Sequence, residues 1–175
     1  IDGVDAHSYS LEEAANHIRG QEGTHVVLTL QHKGERKDVD IVRQSINLPT
    51  VKGEMVDSDT AYIRISQFAE PTGKDFALEY QKMKQQGMKR LILDLRGNPG
   101  GLLTSARDVS DYIIPKGTVV TVQARGESKE VYESEGLEPR IPLVVLVDGH
   151  SASASEIIAG AVQDLKAGAI VGTQT

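Results

Sequence analysis

The chain has 175 residues, 39% hydrophobic and 25% charged, which suits one globular domain, or one plus part of another, and excludes wholesale disorder. Its 19 Lys and Arg against 25 Asp and Glu leave a net charge of −6, so no bulk electrostatic pull draws it toward nucleic acid or an anionic membrane. There is no cysteine, which removes disulfides, thiolate metal sites and a cysteine nucleophile, and no run approaches the roughly 18 apolar residues of a membrane-spanning helix.

Ile1-Asp2-Gly3-Val4 reads as the end of a strand entering a turn, and Thr175 falls in what reads as mid-strand. The expectation is a fragment of a longer protein, whose targeting signals are therefore unread. Ser10-Leu11-Glu12-Glu13 is a capping box, and Leu11, Ala14, Ala15 and Ile18 then share one helical face, with Gly20 ending the helix. Val26 to Leu30 is a strand, Lys33-Gly34 a turn, and Val39 to Val42 the returning strand. At about 45 residues this run is marginal as an independent domain. A connector carrying Pro49 follows, from Gln44 to Thr50.

Ala61 to Phe68 alternates as a strand does. Thr72 is placed to cap a helix whose Phe76, Tyr80 and Met83 recur at helical spacing, with Gly87 stopping it. Leu91 to Leu95 is a short, almost wholly apolar run, as expected for a central strand buried on both faces. Arg96 to Gly101 is a glycine-rich turn, and Leu102 to Tyr112 a helix ended before Pro115. Val119 to Val122 is a strand, the polar stretch from Ala124 to Arg140 has hairpin character, and Ile141 to Val147 is a second apolar strand. Gly149 to Ser153 is a small-residue turn, Ser153 to Lys166 a helix, and Ala169 to Gly172 a further strand. Strand–turn–helix repetition predicts an α/β fold with a largely parallel sheet.

Open α/β sheets bind ligands beyond the carboxyl ends of their strands. Two turns occupy such places: Asp94 to Gly101, and Asp148 to Glu156. If their strands are neighbours, both turns face one cleft. In the second, Ser153-x-x-Glu156 is a capping box, so Ser153 is open to two readings. It is either a plain helix cap or a nucleophile at a helix N-terminus, where N–H groups suit a developing oxyanion. The turn departs from the G-x-S-x-G elbow. In the first, Gly100 and Gly101 leave backbone N–H groups unobstructed, which suits an oxyanion donor or simply a tight turn; the Walker and dinucleotide patterns are absent.

A serine nucleophile needs a base. His150 lies in the same tight turn, where close neighbours seldom face each other. His7, His25 and His32 read as surface residues. Asp164 and Lys166 share the Ser153 helix but lie roughly 16 and 20 Å along it at 1.5 Å per residue, out of reach. No cluster with metal-ligand spacing is visible.

The run Leu93-Asp94-Leu95-Arg96-Gly97-Asn98-Pro99-Gly100-Gly101, followed by Ser151-Ala152-Ser153-Ala154-Ser155-Glu156-Ile157, resembles the paired motifs of the carboxyl-terminal processing peptidases, or tail-specific proteases. The resemblance implies the C-terminal half of a PDZ domain over residues 1–47 and a ClpP/crotonase-like peptidase core over 48–175. It implies Ser153 as nucleophile of a Ser–Lys dyad, oxyanion donors from Ala154 and from Gly100 or Gly101, and supporting roles for Glu156, Asp164 and Thr175. Gly172-Thr173-Gln174-Thr175 matches the start of the stretch that carries the family's lysine, departing at Thr173 and Gln174. That places the lysine about three residues past Thr175, so the 175 residues alone are expected to be inactive. The PDZ carboxylate-binding loop would precede Ile1. No cofactor is implied. The implied partners are protein or peptide substrates with accessible C-termini, outside the cytoplasm, and no nucleic acid; the oligomeric state is left open. Two other readings stand beside it: a non-catalytic peptide-binding relative in which Ser153 only caps a helix, and a Ser–His hydrolase using His150.

Overall fold

A computed structural model describes residues 1–45, 49–126 and 128–175. The chain divides into two compact units, Ile1–Leu48 and Pro49–Thr175. The middle of the expected connector, with the expected 47/48 boundary, lies outside the described residues, as does one position of the polar 124–140 stretch.

The first unit holds α1 (Leu11–Ile18) and an antiparallel hairpin of β1 (His25–His32) and β2 (Glu35–Val42). The expected capping box is present: Ser10 N–H donates to Glu13 Oε2 at 2.8 Å, and Glu13 N–H to Ser10 Oγ at 3.2 Å. Gly20 does not end α1 by a left-handed turn. Arg19 is the C-cap in an extended conformation, and the Arg43 guanidinium takes the orphan carbonyls of His17 and Ile18. Gly20 is small for a different reason, since a Cβ there would sit 2.7 Å from Arg43 Nε. Among the described residues of this unit, Val26 is the one hydrophobic side chain fully withdrawn from solvent, at 1% exposure. Ile1 to Val4 forms a turn, pinned to β1 by Asp2 N–H to Val27 O and Val27 N–H to Asp2 Oδ1.

The second unit is built on β3 (Val51–Met55), β4 (Thr60–Ile65), β5 (Arg90–Asp94), β8 (Leu143–Val147) and β9 (Ala169–Gly172), ordered β3-β4-β5-β8-β9. Only the β3–β4 pair is antiparallel, so the expected mostly parallel α/β sheet is present. Three crossovers, through α2 (Thr72–Gln85), α3 (Leu103–Ile113) and α4 (Ala154–Asp164), each advance the sheet in the same direction. Right-handed crossovers that all advance one way put every helix on one face. Burial follows: Leu143, Val145 and Val147 of β8 are buried, whereas Val144 and Leu146 are half-buried. β8 is thus fully buried on one face and half-buried on the other, not buried on both as its composition suggested, while in β5 Ile92 is half-buried and Asp94 buried opposite the buried Leu91 and Leu93. A two-stranded antiparallel ribbon, β6 (Gly117–Val122) with β7 (Glu130–Ser134), supplies the expected hairpin between α3 and β8.

The core lies between the sheet and the helices. Phe76, Tyr80 and Met83 of α2 are at most 1% exposed, and Phe76, Tyr80 and Tyr112 meet with ring centroids 5.5–6.1 Å apart. Thr72 begins α2 rather than capping it. Pro71 is the N-cap, and the Thr72 hydroxyl accepts from Ala69 N–H at 2.8 Å in the preceding turn. β5 and β8 pair in parallel, so the turns that leave their carboxyl ends lie side by side.

Candidate active site

The first turn starts from a buried carboxylate. Asp94 closes β5 with no exposed surface and is fully engaged. It accepts Arg96 N–H and Nε–H at 2.9 Å, a second guanidinium N–H of Arg96 at 2.9 Å and the Tyr62 hydroxyl at 2.5 Å. Burial by itself pushes this carboxyl up, but the bonds from Arg96 and Tyr62 outweigh it and hold Asp94 at about 2. The Tyr62 hydroxyl is pushed up, first by burial and then by Asp94. The arginine fork that Asp94 grips fixes where the chain turns.

Asn98, also without exposed surface, ties that turn to two other segments. Its Nδ2 donates to Ile65 O at the end of β4, 2.9 Å, and its Oδ1 accepts Gly100 N–H, 2.8 Å. Its backbone carbonyl accepts Ala152 N–H at 3.1 Å and the Ser155 hydroxyl at 3.0 Å. Asp148 makes a second link, accepting Gly97 N–H at 2.9 Å and His150 N–H at 3.0 Å. Those two bonds, Gly97 first, hold its carboxyl below the usual range. Ser151, 1% exposed, donates to Leu95 O at 2.8 Å. The two turns therefore form one hydrogen-bonded body beyond the carboxyl ends of β5 and β8.

Ser153 stands at the junction of β8's turn and α4, exposed, with φ 55° and ψ −115°. A side-chain-bearing residue rarely occupies this region, and such strain gathers at functional sites. It is the strained strand-to-helix turn that presents a hydroxyl at the top of a sheet, reached without the usual glycine spacing. Ser153 N–H donates to Glu156 Oε2 at 2.8 Å, while the hydroxyl faces the Glu156 N–H without a full cap hydrogen bond. Gly100 packs directly against this point. A Cβ on it would lie 2.6 Å from Ala152 O, 2.7 Å from Ser153 Cβ and 2.9 Å from Ala154 N, and its φ of +97° is itself a glycine conformation.

Two backbone N–H groups at this junction, those of Ala154 and Gly101, carry no hydrogen bond among the described residues. Ala154 is the first residue of α4, so its N–H has no acceptor within the helix. Gly101 is bracketed by bonds of its neighbours, Phe68 N–H to Gly100 O at 2.9 Å and Leu102 N–H to Phe68 O at 2.7 Å, but its own N–H carries none among the described residues. Gly100 and Gly101, paired in the sequence reading, are thus unlike: Gly100's N–H is consumed by Asn98 and is not available to a ligand.

The other expected residues fall into two groups. Glu156 and Thr175 meet, Thr175 Oγ1 donating to Glu156 Oε1 at 3.0 Å, so one carboxylate joins the Ser153 backbone to the chain after β9. Asp164 is exposed at the far end of α4, its side chain without a hydrogen bond among the described residues, and is not brought to Ser153. Lys166, beyond the same end of α4, is likewise distant. His150 is exposed and makes no hydrogen bond to Ser153; among the described residues its one bond is the backbone donation to Asp148. His7 and His25 are surface residues held by Asp5 at 2.5 Å and Asp40 at 2.8 Å, and His32 is exposed. Among the described residues, no group of three or more His, Cys, Asp or Glu is placed to hold a metal ion. An open groove of about 920 Å³ lined by Pro142, Leu143, Ala167 and Gly168 lies at the start of β8, the end opposite Ser153, where open sheets do not place their chemistry. The sequence reading did not single out Asn98, Asp148, Ser151 and Ser155; the only local signal for them was polar side chains inside turns that follow apolar strands.

Residues 59–175 match the family model for peptidase family S41. The chain is 39% identical over its whole length to a carboxyl-terminal-processing protease of Synechocystis sp., covering 43% of that protein. It is 37% identical to the carboxy-terminal processing protease CtpA of Bacillus subtilis, again over the whole chain and 38% of that protein. The chain thus spans about two-fifths of the length of these relatives. Among solved structures, a photosystem II D1 C-terminal processing protease superposes with a TM-score of 0.65 at 25% identity, covering 97% of this chain and 48% of that one. The family match covers more than half of the chain, and relatives of the same kind align with its whole length: the chain belongs to peptidase family S41.

Proposed function

We propose that these residues form the nucleophile and oxyanion half of a serine endopeptidase that cleaves protein substrates near their C-termini. The observation that carries this reading is Ser153, exposed in a left-handed backbone conformation, with the N–H groups of Ala154 and Gly101, which carry no hydrogen bond among the described residues, beside the same glycine turn. Ser153 Oγ attacks the scissile carbonyl, and the two N–H groups receive the developing oxyanion. The tetrahedral intermediate expels the amine and leaves an ester on Ser153, which water then hydrolyses. Glu156 fixes the Ser153 backbone and, through Thr175, the segment that follows β9. By family resemblance the proton acceptor is a neutral lysine about three residues past Thr175, its pKa lowered by burial. The same resemblance makes residues 1–47 part of a PDZ domain that holds a substrate's C-terminal segment by β-augmentation, in a protein that works outside the cytoplasm.

The test is peptide hydrolysis by the full-length protein that carries these residues. Hydrolysis lost in Ser153→Ala, and in the variant lacking the lysine, but kept in His150→Ala is the expected result. The 175-residue chain alone is expected to hydrolyse nothing. Hydrolysis that survives Ser153→Ala would overturn the reading, and loss in His150→Ala would favour a Ser–His enzyme instead.

A further inference from the structure

We infer that Asp148 is a positioning residue that sets the nucleophile turn against the glycine turn through a single oxygen, so that Ser153 depends on its acceptor geometry and not on its negative charge. This rests on Ser153 being the nucleophile, as proposed above. Oδ1 of Asp148 accepts Gly97 N–H at 2.9 Å and His150 N–H at 3.0 Å. One donor belongs to the turn that leaves β5 and the other to the turn that leaves β8, so one atom ties the two turns together. Ser151 Oγ lies 3.4 Å from the same oxygen, but its one proton goes to Leu95 O at 2.8 Å. The Asp148 main chain is committed as well: its N–H donates to Ser151 Oγ at 3.0 Å, and its carbonyl accepts Ser151 N–H at 2.9 Å. Among the described residues, Oδ2 accepts no hydrogen bond and no ion pair joins this carboxylate to a Lys or Arg.

Asp94, at the end of β5, is the contrast. Its Oδ1 accepts from the Arg96 backbone and Nε, and its Oδ2 from Tyr62 and a second guanidinium N–H of Arg96, so both oxygens and the charge are used. An amide there would turn an NH2 group toward other donors. At position 148 an asparagine can place its oxygen where Oδ1 stands and leave its NH2 in the unoccupied Oδ2 direction. Alanine removes the acceptor from both amides. The consequence reaches Ser153 through Gly97, which shares a turn with Gly100, the residue packed against Ser153 Cβ. A slip of Gly97 from Asp148 shifts the wall that holds Ser153 in its strained conformation, and displacing a reacting group by about 1 Å is enough to cost large factors in rate.

Two measurements on the full-length protein test it. The first needs no variant: amide hydrogen exchange. Gly97 and His150 are exposed residues, yet their N–H groups should exchange at least about tenfold more slowly than an unprotected peptide amide. Unprotected exchange at both overturns the inference. The second is the rate at which a fluorophosphonate labels Ser153. Asp148→Ala should slow it about tenfold or more, and Asp148→Asn should rescue it to within about threefold of the wild-type rate. An asparagine variant as slow as the alanine one would show that the charge is required, and an alanine variant at the wild-type rate would show that the contact positions nothing; either overturns the inference. Should Asp148→Ala fail to fold, Asp148→Asn still decides, since a tenfold loss there is equally fatal. A wild-type protein that leaves Ser153 unlabelled would overturn the proposed nucleophile, and the inference with it, whatever the exchange measurement shows.

Discussion

The chain contains the same short pattern, Ser-x-x-Glu, at the start of α1 and at the start of α4. At Ser10 the backbone is extended, φ −65° and ψ 163°, and the serine hydroxyl and glutamate carboxylate bond reciprocally to the backbone N–H groups. At Ser153 the glutamate half is just as firm, but φ is 55° and the serine hydroxyl stays out of a full cap bond. One serine uses its oxygen to finish a helix. The other has its backbone N–H bonded by Glu156, while its hydroxyl faces the Glu156 N–H in the capping-box arrangement without closing a full hydrogen bond. The difference lies in what surrounds each turn. Ser10 lies on an exposed turn held by its own glutamate, whereas Gly100, Asn98 and Asp148 over-determine the segment around Ser153, which is how a strained conformation persists.

The largest test of that contrast is Ser153→Ala, expected to abolish reaction of the full-length protein with a serine-directed phosphonate while leaving its fold intact by circular dichroism. Gly100→Ala attacks the packing that enforces the strain. A Cβ within 2.6–2.9 Å of three atoms of residues 152–154, at a positive φ, should cost roughly 3 kcal/mol in denaturant unfolding and remove labelling as well.

Acid titration addresses the anchor beneath the first turn. Asp94 is held at about 2 against an ordinary 3.8, so its contribution is present above pH 4 and is lost as pH falls through 2. The shift corresponds to about 2 kcal/mol, and Asp94→Asn should flatten that part of the pH–stability curve. A smaller and opposite effect is expected from Ser153→Gly, which relieves the positive φ. It should raise stability by about 1 kcal/mol while eliminating labelling, a gain that an ordinary N-cap serine would not give. The smallest effect belongs to Ser10→Ala, a loss of about 1 kcal/mol or less seen as reduced α1 helicity, with Ser153 labelling unchanged.

Much of the second unit was legible because its signals are local. Leu91 to Leu95 and Ile141 to Val147 are runs that only an inner strand tolerates, and Phe76, Tyr80 and Met83 repeat at helical spacing. β3 was missed because Val51-Lys52-Gly53-Glu54-Met55 has a glycine at its centre, where strand alternation would place a packed side chain. That glycine leaves room for the Glu79 side chain of α2. Gly20 was misread because a glycine near a helix end suggests a left-handed cap, while the true partner of the α1 carbonyls is Arg43, far along the sequence. Of the site, the two turns and Ser153 could be found from composition, but not the strain on Ser153, since its pattern is that of an ordinary cap. The inequality of Gly100 and Gly101 was also invisible. It depends on a side chain whose second partner, Ile65, is supplied by another strand.

The most direct test of the account is to treat the full-length protein with a fluorophosphonate and map the modified residue by mass spectrometry. A single adduct on Ser153, with Ser151 and Ser155 unmodified, is the predicted result. An unmodified Ser153, or an adduct on a neighbouring serine in its place, would contradict the claim that this strained turn presents a nucleophile.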